Sequence, residues 1–146
     1  MNRNEAISEL MSLIASVKRA MQGHAYPCQD GTSLTGAQLG ILFALKHHGP
    51  IPAHQLSERL SLTPGGVSQL VEGLVERGFI HREPRDDDRR THDLSLSPTG
   101  LTQTNSIERK RHAVLRQVTA ELSDKELESL VSMHQKLLAA IKLNIK

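Results

Sequence analysis

The chain has 146 residues, of which 23% are charged and 38% are hydrophobic, with a formal net charge of +2 at pH 7. This balance is typical of one folded domain, and it excludes a disordered chain and a protein that binds polyanions through overall charge alone. The single cysteine, Cys28, excludes an internal disulfide, and an aromatic content of 2% argues against a platform that stacks unpaired bases.

The N-terminal segment has acids and serines where a signal peptide needs an unbroken apolar block. The longest apolar runs, such as Ile41–Leu45, are far shorter than the roughly 20 residues that cross a bilayer. Together with the single cysteine, these features predict a cytoplasmic protein with no membrane attachment.

The first two predicted helices are separated by a turn-rich connection. Apolar residues recur every three or four positions across residues 4–22, which predicts an amphipathic first helix. Thr35 and Gln38 have the capping-box spacing that opens a second helix, and Gly49 with Pro50 closes it.

The central segment is predicted to contain two short helices joined by a tight turn. The first covers roughly residues 53–60, and Thr63 caps the second, in which Pro64 takes the first position. The second of these helices ends near Gly78. The following apolar positions have the spacing of one small core shared by three helices: Leu56, Leu60, Leu62, Val67, Leu70, Val71, Leu74 and Ile80.

Strand-like and then helical patterns follow. The runs 79–83 and 91–97 flank a loop rich in proline and aspartate, and they predict one two-stranded hairpin. Ser97 and Pro98 open a long helix to about residue 119, and Ser123 with Glu126 forms the capping box of a last amphipathic helix.

The predicted fold class is mainly α: a winged helix-turn-helix with a two-stranded wing and further helices at both ends. Burial of the apolar positions of the fourth helix leaves Gly65, Ser68, Gln69 and Glu72 on its opposite face. That face is the candidate reader of double-stranded DNA. The alternative is an ordinary solvated surface, because exposed serine and glutamine usually have no further role.

The start of the fourth helix suits contact with an anion and with base edges. Gly65 and Gly66 are poor helix formers, and their missing side chains would let the helix N-terminus approach a phosphate closely. Thr63 adds a hydroxyl at the same place. Gln69 has the chemistry for a bidentate contact with adenine, and Ser68 is able to bond to several bases.

Two segments give the chain a resemblance to a known family. The run DDRRTHDLSLSPTG, 87–100, is similar to the wing signature of the multiple-antibiotic-resistance regulator (MarR) family, an Asp-x-Arg followed by alternating leucines and Ser/Thr-Pro-x-Gly. The run LVERGFIHRE, 74–83, resembles the family's passage from recognition helix into wing. The resemblance covers about 34–100, the expected DNA-binding part of a single domain 1–146, and more loosely the whole chain.

The resemblance implies a homodimeric regulator of transcription. Residues 4–22 and 98–146 would form the dimer interface, and each subunit would place its fourth helix in the major groove of a double-stranded DNA operator. The wing would lie over the minor groove. The resemblance also implies regulation, usually repression, through a small-molecule effector, an oxidant or a metal.

Residue roles follow where positions match the family pattern. Asp88 and Arg90 match the Asp-x-Arg pair, so Arg90 is expected in or near the minor groove and Asp88 is expected to orient an arginine. Ser68 and Gln69 fall on the reading positions, although the family often has arginine where this chain has Gln69. Salt-dependent affinity is therefore expected to come from the wing arginines Arg82, Arg85, Arg89 and Arg90.

A ligand pocket and a redox residue are further candidates. The pocket is expected between the dimerisation helices and the winged part, near His24, Tyr26, His47 and His48. Cys28 resembles the sensor cysteine of peroxide-responsive members but lies beyond the first helix, so an ordinary thiol is the alternative. No metal site and no cofactor are predicted, because the adjacent His47 and His48 point in different directions on a helix.

Catalysis is not predicted. Asp86, Asp87 and Asp88 are neighbours on one loop, whereas a magnesium site needs carboxylates that converge from a rigid frame. The sequence has no glycine-rich phosphate loop, nucleophile elbow or His-Glu-x-x-His motif. The alternative to a DNA-binding regulator is a winged-helix module that binds only proteins, which would show no salt-dependent binding to duplex DNA.

Overall fold

The structure is a computed structural model, and it describes residues 1–22, 25–85 and 91–144. Six helices and five short strands lie within these ranges: α1 (Arg3–Gln22), β1 (Tyr26–Pro27), β2 (Ser33–Leu34), α2 (Gly36–His48), β3 (Ile51–Pro52), α3 (Ala53–Leu60), α4 (Pro64–Glu76), β4 (Ile80–Pro84), β5 (His92–Leu96), α5 (Pro98–Val118) and α6 (Asp124–Asn144). They belong to two compact units, Met1–Ile107 and Glu108–Lys146. The predicted mainly α, winged class is confirmed.

The Met1–Ile107 unit has an aliphatic core beneath α2, α3, α4 and the wing strands. Of the predicted core residues, five are buried: Leu56, Val67, Val71, Leu74 and Ile80. Three others are partly buried against that core: Leu60, Leu62 and Leu70. Burial of one such side chain contributes about 1.5–3 kcal/mol to stability. The buried residues together therefore form a stabilising core within the winged part.

Local hydrogen bonds hold the turn between α3 and α4. Ser61 has a left-handed φ of 52°, and the Leu62 amide donates to the Ser57 carbonyl at 3.1 Å. Thr63 caps α4, since its Oγ1 accepts from the Gly66 amide at 3.1 Å. The predicted turn and cap are therefore confirmed, and they hold α4 against α3.

The wing belongs to an antiparallel sheet of three strands in the order β3-β5-β4. β4 and β5 pair with Ile80 opposite Leu96, which confirms the predicted hairpin. The pattern did not predict β3, which places Ile51 opposite Leu94, because two residues with one proline are too short to show alternation. The β1–β2 pair likewise lies in the connection for which only turns are predicted.

The run from Ser97 to Gly100 joins α5 to the wing. The Ser97 amide donates to the Phe79 carbonyl at 3.0 Å, and the Gly100 amide donates to Ser97 Oγ at 2.9 Å. A β-carbon on Gly100 would lie 2.0 Å from the Phe79 carbonyl oxygen. Glycine is therefore required for α5 to begin this close to the backbone that leads into β4.

The Glu108–Lys146 unit contains the second half of α5 and all of α6. The Ser123 amide donates to Glu126 Oε2 at 2.8 Å and the Glu126 amide donates to Ser123 Oγ at 3.4 Å, which confirms the predicted capping box. Hydrogen bonds from the Ser123 side chain and amide lower the pKa of Glu126. No described residue of α6 is buried, and its exposed large apolar residues are Leu127, Leu130, Val131, Met133, Leu137, Leu138, Ile141 and Leu143.

The helix α1 confirms the amphipathic first helix predicted for residues 4–22. Its apolar side chains are exposed, namely Ile7, Leu10, Met11, Leu13, Ile14 and Val17. Among the residues that the structure describes, no helix is both long and apolar enough to cross a membrane.

Candidate nucleic-acid interface

Helix α4, the predicted recognition helix, packs on the core with one face and exposes the other. Val67, Val71 and Leu74 are buried in the core. Ser68 and Gln69 lie on the outer face and are exposed, as the helical spacing predicts. The fold therefore places these two polar side chains on one exposed surface of the winged part.

The two glycines at the start of α4 differ in their surroundings. A β-carbon on Gly66 would lie 3.0 Å from Thr63 Oγ1, so the cap itself favours glycine there. A β-carbon on Gly65 would meet no described atom within 4 Å. Packing within the described chain gives no reason for glycine at 65, so the open surface there leaves room for the close approach of an outside group.

Arg77, which follows α4, ties the end of that helix to the loop between β1 and β2. Its guanidinium donates to the Ser33 carbonyl at 3.2 Å, to Cys28 Sγ at 3.4 Å and to Thr32 Oγ1. The same group lies 4.8 Å from the centre of the Phe79 ring. The sequence pattern did not indicate these contacts of Arg77, because its partners in the loop and in β2 are 44 to 49 positions away.

The carboxyl group of Asp30 belongs to the same loop. The Thr32 hydroxyl and amide donate to Asp30 Oδ1 at 2.6 and 2.9 Å, and the Arg77 guanidinium lies 3.8 Å from Oδ2. The hydrogen bond from the Thr32 side chain is the main cause that lowers the pKa of Asp30, and Arg77 adds to it. The loop therefore carries a stable negative charge beside the end of α4.

Arg82, on β4, links the wing to the recognition helix. Its Nη2 donates to Glu72 Oε2, so a cation of the wing is paired with an anion of α4. The two side chains remain 41% and 57% exposed, respectively. Arg82 also lines a groove of about 270 Å³ whose wall includes Ser68, His54 and His92.

The other wing residues are only partly described. The Arg85 amide donates to the Thr91 carbonyl at 3.0 Å, and Arg85 Nε lies 3.9 Å from Asp93 Oδ1. This places Arg85 at the end of β4, next to the loop. The predicted Asp-x-Arg pair lies outside the described residues, together with the rest of the run Asp86, Asp87, Asp88, Arg89 and Arg90.

The residues predicted to line a ligand pocket are placed at separate elements. Tyr26 is half-buried in β1, whereas His47 and His48 are exposed at the end of α2. His47 stacks on Phe43 with ring centres 6.4 Å apart. His24 lies outside the described residues. No cluster of three metal-binding side chains occurs within residues 1–22, 25–85 and 91–144.

Cys28 is a half-buried thiol in the loop between β1 and β2. Its Sγ accepts from Arg77 and donates to the Tyr26 carbonyl at 3.7 Å. The Gln29 amide beside it donates to Oε1 of the buried Gln103 at 3.2 Å. Cys28 is thus part of the contacts that hold this loop, and its redox role stays a prediction.

Known proteins are similar to this chain in sequence and in fold. A family model described as MarR family matches residues 32–91. The transcriptional repressor MdtR of Bacillus subtilis is 24% identical over 143 residues, which cover 98% of this chain and 92% of that protein. The solved structure of a probable transcriptional regulator from Pseudomonas aeruginosa is 27% identical, covers 93% of this chain and 99% of its own, and has a TM-score of 0.69.

A MarR family protein from Bacillus stearothermophilus has the same fold, with a TM-score of 0.82, 19% identity and coverage of 97% of this chain and 99% of its own. The segment matched by the family model contains α2, α3, α4 and β4, and so includes the exposed polar face of α4. MdtR is a regulator of transcription, and the Pseudomonas aeruginosa protein is a probable one. Residues 32–91 therefore match the MarR family model, and the chain as a whole is similar to a helix-turn-helix transcriptional repressor and has the fold of a MarR family protein.

Proposed function

We propose that this regulator is a homodimeric repressor that reads a pseudo-palindromic operator with α4 in the major groove and the wing at the minor groove. The observation that carries the proposal is the exposed polar face of α4, backed by the buried Val67, Val71 and Leu74. A helix presented in this way has the dimensions that enter a major groove. In a dimer the two half-sites lie roughly 10 bp apart.

Base reading is assigned to Gln69 and Ser68. Gln69 suits a bidentate contact with adenine, and a good pair of this kind discriminates by about 1–3 kcal/mol. The amide groups at the start of α4, the Thr63 hydroxyl and the open surface at Gly65 suit a phosphate. These groups position the helix, whereas the two polar side chains select the sequence.

Selection of bound duplexes from a random pool tests the reading role. The Gln69→Ala variant is expected to lose its preference at one base pair of each half-site and to keep the remaining consensus. Gln135→Ala, which removes an exposed glutamine from α6, is the matched control and keeps the full consensus. An equal loss of affinity for every sequence would instead make Gln69 a positioning contact.

Sequence-independent affinity is assigned to the wing arginines Arg85, Arg89 and Arg90, with Asp88 orienting one of them. Replacement of Arg90 by Ala is expected to weaken binding to duplexes with A·T flanks and to lower the slope of log affinity against log salt by about 0.9. Arg116→Ala, on the exposed surface of α5, is the control. An unchanged slope for Arg90→Ala would contradict this assignment.

The homodimer is supported by the exposed apolar side chains of α1 and α6. On α6, Leu130 and Leu137 lie seven positions apart on one face, and both are exposed. Asp at both positions is expected to convert the dimer to a monomer in sedimentation and to weaken operator binding roughly 100-fold, because two linked half-sites then bind separately. Asp at Ser132 and Ala139, with the same spacing on the opposite face, is the control.

Repression is supported by the similarity of the chain to MdtR, a transcriptional repressor. A small-molecule effector would act by changing the separation of the two recognition helices, with a pocket near His24, Tyr26, His47 and His48 and with Cys28 as the oxidant-sensitive alternative. The duplex selection repeated with a phenolic compound, an oxidant or zinc tests this part. Loss of binding with one of them identifies the class of the effector. Unchanged binding with all three contradicts the proposed regulation by an effector.

A further inference from the structure

The recognition helix of this protein has an unusual charge for a helix that approaches a polyanion. α4 contains two acids, Glu72 and Glu76, and no basic residue. Glu72 lies one turn beyond Ser68 on the outer face, so its carboxylate belongs to the surface that would meet DNA. An unpaired carboxylate there would repel the phosphates of any sequence.

In the structure, the carboxylate of Glu72 forms an ion pair with Arg82. Glu72 accepts from Arg82 Nη2 of the wing strand β4, so the two side chains neutralise each other across the reading surface. Both remain largely exposed, and pairs of this kind contribute little to stability because water and salt screen them. The pair therefore stabilises the fold only slightly. Its position on the α4 surface that would meet DNA indicates a role in DNA binding.

We propose that Glu72 withholds Arg82 from the DNA backbone and so keeps sequence-independent binding weak. The inference rests on the proposed function of the α4 surface. Only cations that reach phosphates release counterions, so an arginine held by a carboxylate does not add to the salt dependence. Because a genome offers far more non-specific sites than operators, weaker background binding leaves more of the protein free to find its operator.

Charge-neutral variants of the pair test this inference on full-length protein with a short duplex of random sequence. Glu72→Gln is expected to raise affinity at about 0.2 M salt at least fourfold and to steepen the salt slope by about 0.9, because Arg82 then reaches a phosphate. The double variant Glu72→Gln with Arg82→Gln is expected to return to the wild-type slope. Thermal melting checks that each variant stays folded.

Glu76→Gln is the matched control, since it removes the same charge from the same helix one turn further on. It is expected to leave the slope unchanged. An equal slope in wild type and Glu72→Gln, or an equal gain in Glu76→Gln, overturns the inference. A double variant with a slope below that of wild type also overturns it, because Arg82 would then already contact phosphate in the wild-type protein. Wild-type protein without salt-dependent duplex binding would refute the proposed function itself.

Discussion

The Met1–Ile107 unit buries Leu42, Leu56 and Leu74 completely, whereas no described residue of α6 in the Glu108–Lys146 unit is buried. The two regions have similar apolar periodicity in sequence, with an apolar residue about every three or four positions. Periodicity therefore indicates that a helix has an apolar face, but it leaves open whether that face meets the same chain or another one. In the winged part, the apolar face of α4 packs in one core with residues of α2, α3 and the sheet.

The winged part and α6 differ in how many apolar side chains they bury, and this difference corresponds to a large free energy. Burial of one leucine-sized side chain contributes about 1.5–3 kcal/mol, and α6 exposes several of them. An exposed apolar surface of that kind is typical of an interface with another protein. The winged part thus has a core of its own, whereas the apolar face of α6 is exposed in the single chain.

The largest effect is expected from Gly100→Ala in the winged part. The added β-carbon would lie 2.0 Å from the Phe79 carbonyl oxygen, and neither backbone is free to move away. We expect a loss of about 4 kcal/mol or more in the free energy of unfolding, measured with urea, or no folded protein at all. Gly36→Ala is the control, since a β-carbon there meets no described atom within 4 Å. A wild-type midpoint for Gly100→Ala would contradict the close approach.

The second prediction compares one leucine from each region. Leu74→Ala leaves a cavity in the finished core, so the free energy of unfolding is expected to fall by about 2–5 kcal/mol at every protein concentration. Leu130→Ala removes a side chain that is 37% exposed, so its effect is expected to depend on protein concentration through the dimer equilibrium. Thermal melting over a range of concentrations distinguishes them. The same concentration dependence for both variants would remove the distinction.

The third prediction separates stability from function within α4. Gly65→Ala is expected to stabilise the helix by about 0.5–1 kcal/mol, because a β-carbon there meets no described atom within 4 Å, and yet to weaken operator binding. Gly73→Ala should stabilise the same helix and leave binding unchanged, because it lies further from the helix start. Urea unfolding and duplex titration measure the two effects. Unweakened binding by Gly65→Ala would mean that nothing approaches that surface closely.

The smallest effect concerns Asp30, which lies beside Arg77. Because its pKa is lowered in the folded protein, the stability that it contributes is present above the ordinary carboxyl pKa of about 3.9 and is lost as pH falls through the folded pKa. Asp30→Asn is therefore expected to reduce stability near neutral pH slightly and to flatten the decline in acid. Thermal melting between neutral and acidic pH measures both. An acid limb as steep as that of wild type would contradict the shift.

Local interactions explain why much of the fold follows from sequence. Some features depend only on residues three or four positions apart, and the sequence alone therefore predicts them. These are the Thr63 cap, the Thr35 capping box and the bounds of α3. The exposed positions of Ser68 and Gln69 follow in the same way from helical spacing. The β3 strand does not follow, because Ile51 pairs with the distant Leu94 and two residues carry no period.

The sequence by itself determined the helices, their caps, the wing strands and the polar face of α4, since each depends on near neighbours and on a regular period. Only the tertiary structure decided the third strand of the sheet, the contacts of Arg77 with the loop between β1 and β2, and the pairing of Glu72 with Arg82. Those contacts join residues from different elements, and a charged side chain takes the partner that folding brings within hydrogen-bond distance. From the sequence, Arg82 is predicted only as one of the wing cations, whereas in the folded chain it forms an ion pair with Glu72.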